Sequence, residues 1–326
     1  MLRSFVTAHG WPVSALRPLA DDASFRRYFR LVDDGRCAVL MDAPPERENV
    51  APFLSIASHL RAIGCSAPAI FAADRAEGFV LLEDFGDDTF TRLLNAGAPA
   101  TPLYDMAVDA LVHLQKSSTP ANWPASLPAY DEQRLLDEVL LFTDWYLPAV
   151  SGRPTPPDAR ETFIDAWRPL LAEVLAWPPT LVLRDYHVDN LMHLAGREGI
   201  AACGLLDFQD AVAGHPAYDL MSLLEDARRD LPAGLKGAML ARYHAAARPR
   251  DRAAFSRAFT ILSAQRHAKV IGIFTRLFRR DGKPAYLVHI PRVWRLFEGA
   301  LANPAMAPVR RWVGDHVPGA ARRVPA

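Results

Sequence analysis

Several features that would assign this chain to a common class are missing from its sequence. Its 37 basic side chains balance 37 acidic ones, so net charge gives no support for nucleic-acid binding, which depends on phosphate neutralisation. No apolar run approaches the length that crosses a bilayer, and the N-terminus lacks the pattern of a signal peptide. We therefore expect a cytoplasmic protein with no nucleic-acid or membrane partner.

Cysteine is scarce, and its spacing indicates no disulfide framework. Cys37, Cys65 and Cys203 are widely spaced, odd in number and form no CxxC pair. They indicate neither a set of disulfides nor a structural zinc site. Each is expected to be a small buried side chain. Nothing in the sequence predicts the oligomeric state.

The 326 residues, 50% of them hydrophobic, are enough to bury a large core in one large domain or two modest ones. Alternation and composition predict strands over residues 25–31, 37–41, 68–72, 79–82, 180–183 and 200–206. Helical periods cover residues 49–63, 101–116, 131–147, 157–175, 219–228, 233–247, 252–279 and 288–301. The basic, proline-containing tail 309–326 is expected to be frayed or loosely docked.

The distribution of these elements predicts an α+β fold with two lobes. Residues 1–86 would form a small antiparallel-sheet lobe with one helix. Residues 87–326 would form a mainly helical lobe.

The segment LVLRDYHVDNLMHL, residues 181–194, concentrates polar groups between two apolar flanks. Asp185 and Asn190 lie in a loop that leaves one predicted strand, and Asp207 ends the strand GLLDF. Asn190 and Asp207 offer the hard oxygen ligands that suit Mg²⁺ held with substrate phosphates. Asp185 can accept a proton from an attacking hydroxyl. Together they provide the groups that phosphoryl transfer requires.

The D-x-x-x-x-N spacing, the following LLDFQDA and the later GHPAYDL resemble the aminoglycoside-phosphotransferase and choline-kinase branch of protein-kinase-like enzymes. The resemblance covers residues 15–300 and implies a two-lobed protein-kinase-like fold with ATP and Mg²⁺ as cofactors. It makes residues 1–86 the nucleotide-binding lobe and places the catalytic loop and acceptor site in residues 87–326.

A narrower resemblance is to bacterial anomeric sugar kinases of cell-wall recycling. It rests on SFRRYFRL, VLMDAPP, LLEDFGDDTF, LFTDWYL, LRDYHVDNLM and AQRHAKVIGIFTRL. It implies ATP-dependent phosphorylation of the C1 hydroxyl of N-acetylmuramate or N-acetylglucosamine in peptidoglycan recycling. An aminoglycoside, choline or amino-alcohol kinase and a non-catalytic ATP-binding module remain as alternatives.

Two departures from the family pattern stand out. Leu183 occupies the position of a loop histidine, and Met41 occupies that of the lysine that meets the nucleotide phosphates. A methionine makes no charge-assisted bond to phosphate. Either an arginine replaces the lysine or the protein binds nucleotide without catalysis. The candidate arginines are Arg26, Arg27 and Arg30.

The remaining nucleotide contacts implied by the resemblance lie around the small sheet. Val39 would cover the adenine, Glu83, Asp84 and Phe85 would present backbone groups to it, and Ser24 lies in a turn that replaces the glycine-rich loop. Glu46 or Glu48 can take the role of the helix glutamate, although a solvated first-turn acid is an equal alternative.

Candidate acceptor contacts come from three segments, each with a structural alternative. They are His187 and Asp189 in the loop, Glu138 and Tyr146 on one helix, and Arg266 and Lys269 on the long helix 252–279. A cation on that helix could meet the carboxylate of N-acetylmuramate, or the basic face could simply be solvated. Asp219, which begins a helix, is expected to be structural.

Overall fold

The computed structural model describes residues 1–19 and 25–325. Its strands are β1 (Leu16–Pro18), β2 (Arg27–Asp33), β3 (Arg36–Asp42), β4 (Ile70–Asp74), β5 (Phe79–Leu82), β6 (Thr180–Val182), β7 (Leu191–His193), β8 (Cys203–Leu205) and β9 (Val212–Gly214). Its helices are α1 (Leu2–Ala8), α2 (Val50–Ala62), α3 (Phe90–Asn95), α4 (Ala100–Ser117), α5 (Glu132–Leu141), α6 (Leu147–Ser151), α7 (Pro157–Leu175), α8 (Ala217–Leu224), α9 (Leu235–Ala247), α10 (Arg252–Asp281), α11 (Ile290–Leu301) and α12 (Ala307–His316).

The N-terminal strands form a five-stranded sheet in the order β1-β2-β3-β5-β4, with neighbouring strands antiparallel. The predicted hairpin of β2 and β3 is present, with Arg27 opposite Asp42 and Asp33 opposite Arg36. Its turn uses positive φ angles, 44° at Asp34 and 75° at Gly35. Alternating residues of β2, β3 and β5 are buried with Val6 and Trp11 in one apolar cluster.

The described residues divide into two compact units. The first comprises Met1–Leu127 and Val188–Ala211, and the second comprises Pro128–His187 and Val212–Ala326. The lobe boundary predicted at residue 86 stays a prediction.

The second unit is built around α10, which is buried along most of its length and packs against α5, α8 and α11. Asp251 begins the helix, because its side chain accepts the N–H groups of Ala253 and Ala254. Gly282, with φ of 66°, ends it. Gly272 lies against the backbone of Leu141 so closely that no Cβ would fit between them.

The helix predicted over residues 131–147 is present, and it contains a π-helical segment (Phe142–Tyr146) between α5 and α6. The prediction about the C-terminal tail was wrong. The tail expected to be frayed contains α12, and its Trp312 and Val313 are buried. Trp312 Nε1 also donates to the carbonyl of Ala159, 3.0 Å away. Apolar burial and this hydrogen bond hold the tail in place.

The three cysteines, all within the described residues, form no disulfide, and two of them fit the expectation of burial. Cys65 and Cys203 are buried, and burial raises the pKa of the Cys65 thiol to about 12. Cys37 is exposed at the start of β3, so the expectation was wrong for this residue. No helix within residues 1–19 and 25–325 has the length and apolar composition required to span a membrane.

Candidate active site

Asn190 and Asp207 are brought together by a short hairpin in the first unit. Asn190 precedes β7, Asp207 follows β8, and Leu191 of one strand lies opposite Leu205 of the other. The N–H of Leu206 donates to the Asn190 carbonyl at 3.0 Å. Nδ2 of Asn190 is consequently 3.4 Å from Oδ2 of Asp207. The ends of the two strands thus place an amide and a carboxylate side by side.

The Asp207 carboxylate is oriented by its neighbours. Its residue has a φ of 55°, a left-handed conformation that is uncommon outside glycine. Oδ1 accepts a hydrogen bond from Nε2 of Gln209 at 2.7 Å and lies 3.7 Å from Nη1 of Arg26. The side chain is 35% exposed. A fixed carboxylate therefore remains accessible to a ligand.

Arg26 connects this carboxylate to Glu48, which lies two residues before α2. Its Nη2 donates to Oε2 of Glu48 at 3.1 Å, and the two side chains are only 11% and 16% exposed. Burial lowers the pKa of Arg26, but Tyr28 and Glu48 outweigh burial and raise the pKa overall. The structure thus places a stable cation within ion-pairing distance of Asp207.

The other two candidate arginines have partners elsewhere in the sheet unit. Arg27 is largely exposed and pairs with Asp42 at 2.5 Å. Arg30 pairs with Asp84 at 2.7 Å and with Asp87 at 2.9 Å. Of the three, Arg26 is the one that the structure brings to Asp207.

The residues predicted to line the nucleotide site differ in burial and in hydrogen bonding. Met41 is fully buried, whereas Val39 is half-buried. The Glu83 N–H donates to the Ala69 carbonyl at 2.8 Å, and the Glu83 side chain accepts from the Ala69 N–H and from Arg197. The Glu83 N–H is therefore already used within the protein.

The other predicted nucleotide contacts are Asp84, Phe85 and Ser24. Asp84 accepts from the N–H of Gly86 as well as from Arg30. Phe85 packs against the guanidinium of Arg197. Ser24 lies outside the described residues.

In the second unit, the backbone of the predicted catalytic loop is held by Asp219 of α8. Its Oδ2 accepts from the N–H of Leu183 at 2.7 Å and its Oδ1 from the N–H of Arg184 at 2.9 Å. Burial raises the pKa of Asp219 to about 7, even though these two hydrogen bonds lower it. Its contacts agree with the expected structural role.

Asp185 follows directly in this loop, and its side chain is 38% exposed. Its Oδ1 lies 3.4 Å from Nη2 of Arg266. Burial raises the pKa of Asp185, but surrounding positive charge outweighs burial and holds the pKa well below its usual range. At neutral pH the groups that supply this charge are Arg266, Lys269 and Arg184, and His187 adds to it only when its imidazole is protonated. The side chain is thus an accessible carboxylate at neutral pH.

Glu138 is the centre of a buried polar network in the same unit. Its carboxylate accepts from Lys269 Nζ at 2.8 Å, from Gln265 Nε2 at 2.9 Å, and from Arg184 and Tyr130. Burial raises the pKa of Glu138, but Lys269 and Arg184 outweigh burial and lower the pKa to about 2. The predicted acceptor residues Glu138 and Lys269 are therefore partners of each other.

Tyr146, another predicted acceptor contact, is fully buried and its hydroxyl serves the C-terminal tail. It accepts from the N–H of Arg323 and from Nε1 of Trp294, and it lies 2.9 Å from the carbonyl of Ala321. These bonds give Tyr146 a structural role.

The two loop candidates are placed in different surroundings. His187 is buried, and burial lowers the pKa of its imidazole, which Asp226 partly offsets. Asp189, in the first unit, accepts a hydrogen bond from the hydroxyl of Thr91. Sequence reasoning did not single out Gln209, although it lies in the LLDFQDA segment that drew attention to Asp207.

The sequence pattern of the phosphotransferase enzyme family matches residues 15–255. The chain belongs to this family. It is 36% identical to an N-acetylmuramate/N-acetylglucosamine kinase of Caulobacter vibrioides, over 98% of this chain and 97% of the relative. It is 39% identical to the protein of the same name from Pseudomonas aeruginosa, over 93% and 89% of the two chains.

Solved structures of phosphotransferase relatives share the fold. Choline kinase LicA from Streptococcus pneumoniae matches with a TM-score of 0.66 and 10% identity, over 93% of this chain and 98% of that chain. A choline/ethanolamine kinase family protein from Mesorhizobium loti matches with a TM-score of 0.62 and 16% identity, over 94% and 95%. The predicted protein-kinase-like α+β fold is confirmed.

Proposed function

We propose that this phosphotransferase is an ATP-dependent kinase that phosphorylates the C1 hydroxyl of N-acetylmuramate, N-acetylglucosamine or both, in peptidoglycan recycling. The observation that carries the proposal is the likeness, at 36% and 39% identity over nearly the whole chain, to two relatives named for these sugars. The Asp185 carboxylate in the second unit, and the paired amide and carboxylate of Asn190 and Asp207 in the first, are the groups that this chemistry requires.

Asp185 would act on the acceptor hydroxyl. The C1 oxygen attacks the γ-phosphorus of ATP, the bond from that phosphorus to the β,γ-bridging oxygen breaks, and ADP leaves. The proton of the hydroxyl passes to Asp185, which its surroundings keep ionised at neutral pH. An anomeric hydroxyl is more acidic than an ordinary alcohol, so a carboxylate with a low pKa is an adequate base.

Asn190 and Asp207 would hold Mg²⁺, and their chemistry fits the ion. One carboxylate and one amide oxygen are hard donors, and Mg²⁺ ordinarily completes its shell with water and phosphate oxygens. In the part of the chain that the structure describes, no group of three His, Cys, Asp or Glu side chains forms a metal cage. Bound there, Mg²⁺ would neutralise charge on the transferred phosphate.

Arg26 would take the place of the phosphate-binding lysine that Met41 replaces. Its ion pair with Glu48 and its proximity to Asp207 give it the two neighbours that such a cation needs. A guanidinium also binds phosphate through paired N–H groups. The proposal therefore favours a working kinase over a non-catalytic relative.

The test is ATP consumption with Mg²⁺ over a panel of N-acetylmuramate, N-acetylglucosamine, an aminoglycoside and choline. We expect consumption with one or both amino sugars and none with their C1 methyl glycosides. Consumption with the methyl glycosides would exclude the C1 hydroxyl as acceptor. Nucleotide binding without consumption for any acceptor would favour the non-catalytic module.

Substitution of the proposed base gives the first mutational prediction. Asp185→Asn should lower kcat by on the order of 10²–10⁴-fold while ATP binding, measured by calorimetry, is retained. Asp207→Ala should instead lose Mg²⁺-dependent nucleotide binding. Asp315→Asn, an exposed aspartate on α12, is the control and should match the wild type. Wild-type turnover in Asp185→Asn would refute the assigned role.

A further inference from the structure

The loop that carries Asp185 is held from two helices at once. Asp219 of α8 accepts the N–H groups of Leu183 and Arg184, as described above. From α10, Nη1 of Arg266 donates to the carbonyl of Arg184 at 2.9 Å. The peptide groups on both sides of Arg184 are therefore fixed, one through its N–H and the other through its carbonyl.

This double restraint coincides with an unusual backbone conformation. Arg184 has a φ of 72°, in the left-handed region that disfavours residues with a Cβ. A conformation of this kind is unfavourable and persists only when surrounding contacts enforce it. Because Asp185 follows directly, the orientation of its side chain depends on the conformation of Arg184.

Arg266 is suited to enforce this conformation. Its guanidinium is buried and donates to the hydroxyl of Tyr218 at 3.2 Å in addition to the Arg184 carbonyl. Its Nη2 lies 3.4 Å from Oδ1 of Asp185. One planar group thus contacts the backbone before Asp185 and the Asp185 carboxylate itself, which an ammonium cannot reproduce.

We propose that Arg266 is a positioning residue that orients Asp185 toward the acceptor hydroxyl by holding the carbonyl of Arg184 and the Asp185 carboxylate together. The inference rests on the proposed role of Asp185 as base. It gives Arg266 a role different from both sequence-based alternatives, a cation that meets the carboxylate of N-acetylmuramate and a solvated basic face.

Lys269, one turn further along α10, provides a comparison. It is also buried and also cationic, but its hydrogen bonds go to Glu138 at 2.8 Å and to the Tyr218 hydroxyl at 3.5 Å. Its positive charge acts on Asp185 through space, whereas Arg266 also donates a hydrogen bond to the loop backbone. Lys269→Met therefore removes a buried charge from the same helix and leaves the Arg266 contacts in place.

The experiment compares kcat, KM and pH profiles of Arg266→Lys, Arg266→Gln and Lys269→Met with both amino sugars. In Arg266→Lys, kcat should fall by on the order of 10²-fold with either sugar, because a small misplacement of a reacting group has this effect. KM for each sugar should stay within about twofold of the wild type. Lys269→Met should retain much more of kcat than either Arg266 variant.

The pH profile of kcat distinguishes a loss of Asp185 orientation from a loss of the positive charge beside it. The charged groups that face Asp185 are Arg266, Lys269, Arg184, His187 and Asp219. Arg266→Lys keeps the positive charge, so the acidic limb of its kcat profile should stay near that of the wild type. Arg266→Gln removes the charge, so its acidic limb should move to higher pH. Arg279→Gln, an exposed arginine near the end of α10, should match the wild type throughout.

Three outcomes would decide against the inference or its basis. Wild-type kcat in Arg266→Lys would overturn the inference, and so would a rise in KM confined to N-acetylmuramate, which would make Arg266 an acceptor ligand. If circular dichroism shows that Arg266→Gln is unfolded, Arg266→Lys alone decides. If the wild type turns over neither sugar, the proposed function fails, and the same variants are compared on whichever panel acceptor is consumed, or on basal ATP hydrolysis.

Discussion

Glu138 is a single carboxylate on which two largely buried cations depend. Lys269 and Arg184 both donate to it, and each would be left in a poorly hydrated position without it. Removing one partner of a buried ion pair is strongly destabilising because the remaining charge is uncompensated. Glu138 is therefore expected to matter for folding before it matters for any contact with substrate.

Glu138→Gln should lower the free energy of unfolding by about 3–5 kcal/mol at pH 7. The pKa of Glu138 is about 2 in the folded protein, below its ordinary value of 4.5. The ionised form thus stabilises the folded state above pH 4.5, and this contribution, roughly 3 kcal/mol, is lost as the pH falls toward 2. The difference in free energy of unfolding between the wild type and Glu138→Gln, measured by urea titration, should therefore narrow as the pH falls from 4.5 toward 2.

The matched control for this substitution is Glu161→Gln, an exposed glutamate on α7. It should leave stability within about 0.5 kcal/mol of the wild type at each pH. A difference between Glu138→Gln and the wild type that stays constant from pH 5 to pH 2 would contradict the depressed pKa.

Some of these placements could be read from the sequence and others could not. Asn190 and Asp207 were predicted to meet because one lies in a loop that leaves a predicted strand and the other ends a second strand. The sequence did not predict β7, whose pairing with β8 brings the two side chains together. Arg26 could not be chosen among three arginines, because it precedes β2 and strand alternation does not fix its direction. The helical period put Arg266 and Lys269 on one face of α10, but it could not identify what that face contacts.

The close approach of α10 to α5 gives a prediction about packing between helices. An alanine at position 272 would place its Cβ onto the backbone carbonyl of Leu141, which cannot move aside as a flexible side chain would. Gly272→Ala should lower the free energy of unfolding by about 1–3 kcal/mol, despite the better helix propensity of alanine. Denaturant titration measures this change.

Gly237→Ala on α9 is the matched control, because nothing lies within 4 Å of its added Cβ. It should stabilise the protein by up to about 1 kcal/mol, since alanine is favoured over glycine inside a helix. Equal effects of the two substitutions would mean that α10 and α5 separate readily.

The predicted secondary structure was most accurate where a pattern had several repeats. The predicted helix 157–175 agrees with α7, whose apolar period runs over several turns. The predicted strand 79–82 agrees with β5 without such a period, because all four of its residues are apolar and buried. The edge strand β1 was missed because three residues are too few to show alternation. The tail was misjudged because its overall basic composition obscured the apolar residues Trp312 and Val313.

The whole chain carries equal numbers of acidic and basic side chains, and many of them are paired within the fold. The equal totals thus include ion pairs within the fold as well as charges on the surface. The neutral total gave no support for nucleic-acid binding, and it could not reveal the concentration of positive charge around Asp185. That concentration depends on α8 and α10 meeting the loop, and only the fold shows it.

The unequal exposure of the three cysteines makes the native protein suitable for spectroscopy without mutagenesis. Brief treatment with a maleimide dye at neutral pH should label Cys37 alone, because Cys65 and Cys203 are buried and a buried thiol with a raised pKa reacts slowly. Intact-mass spectrometry should show one adduct in the native state and three after denaturation. A dye attached there would then be a single optical probe at the start of β3.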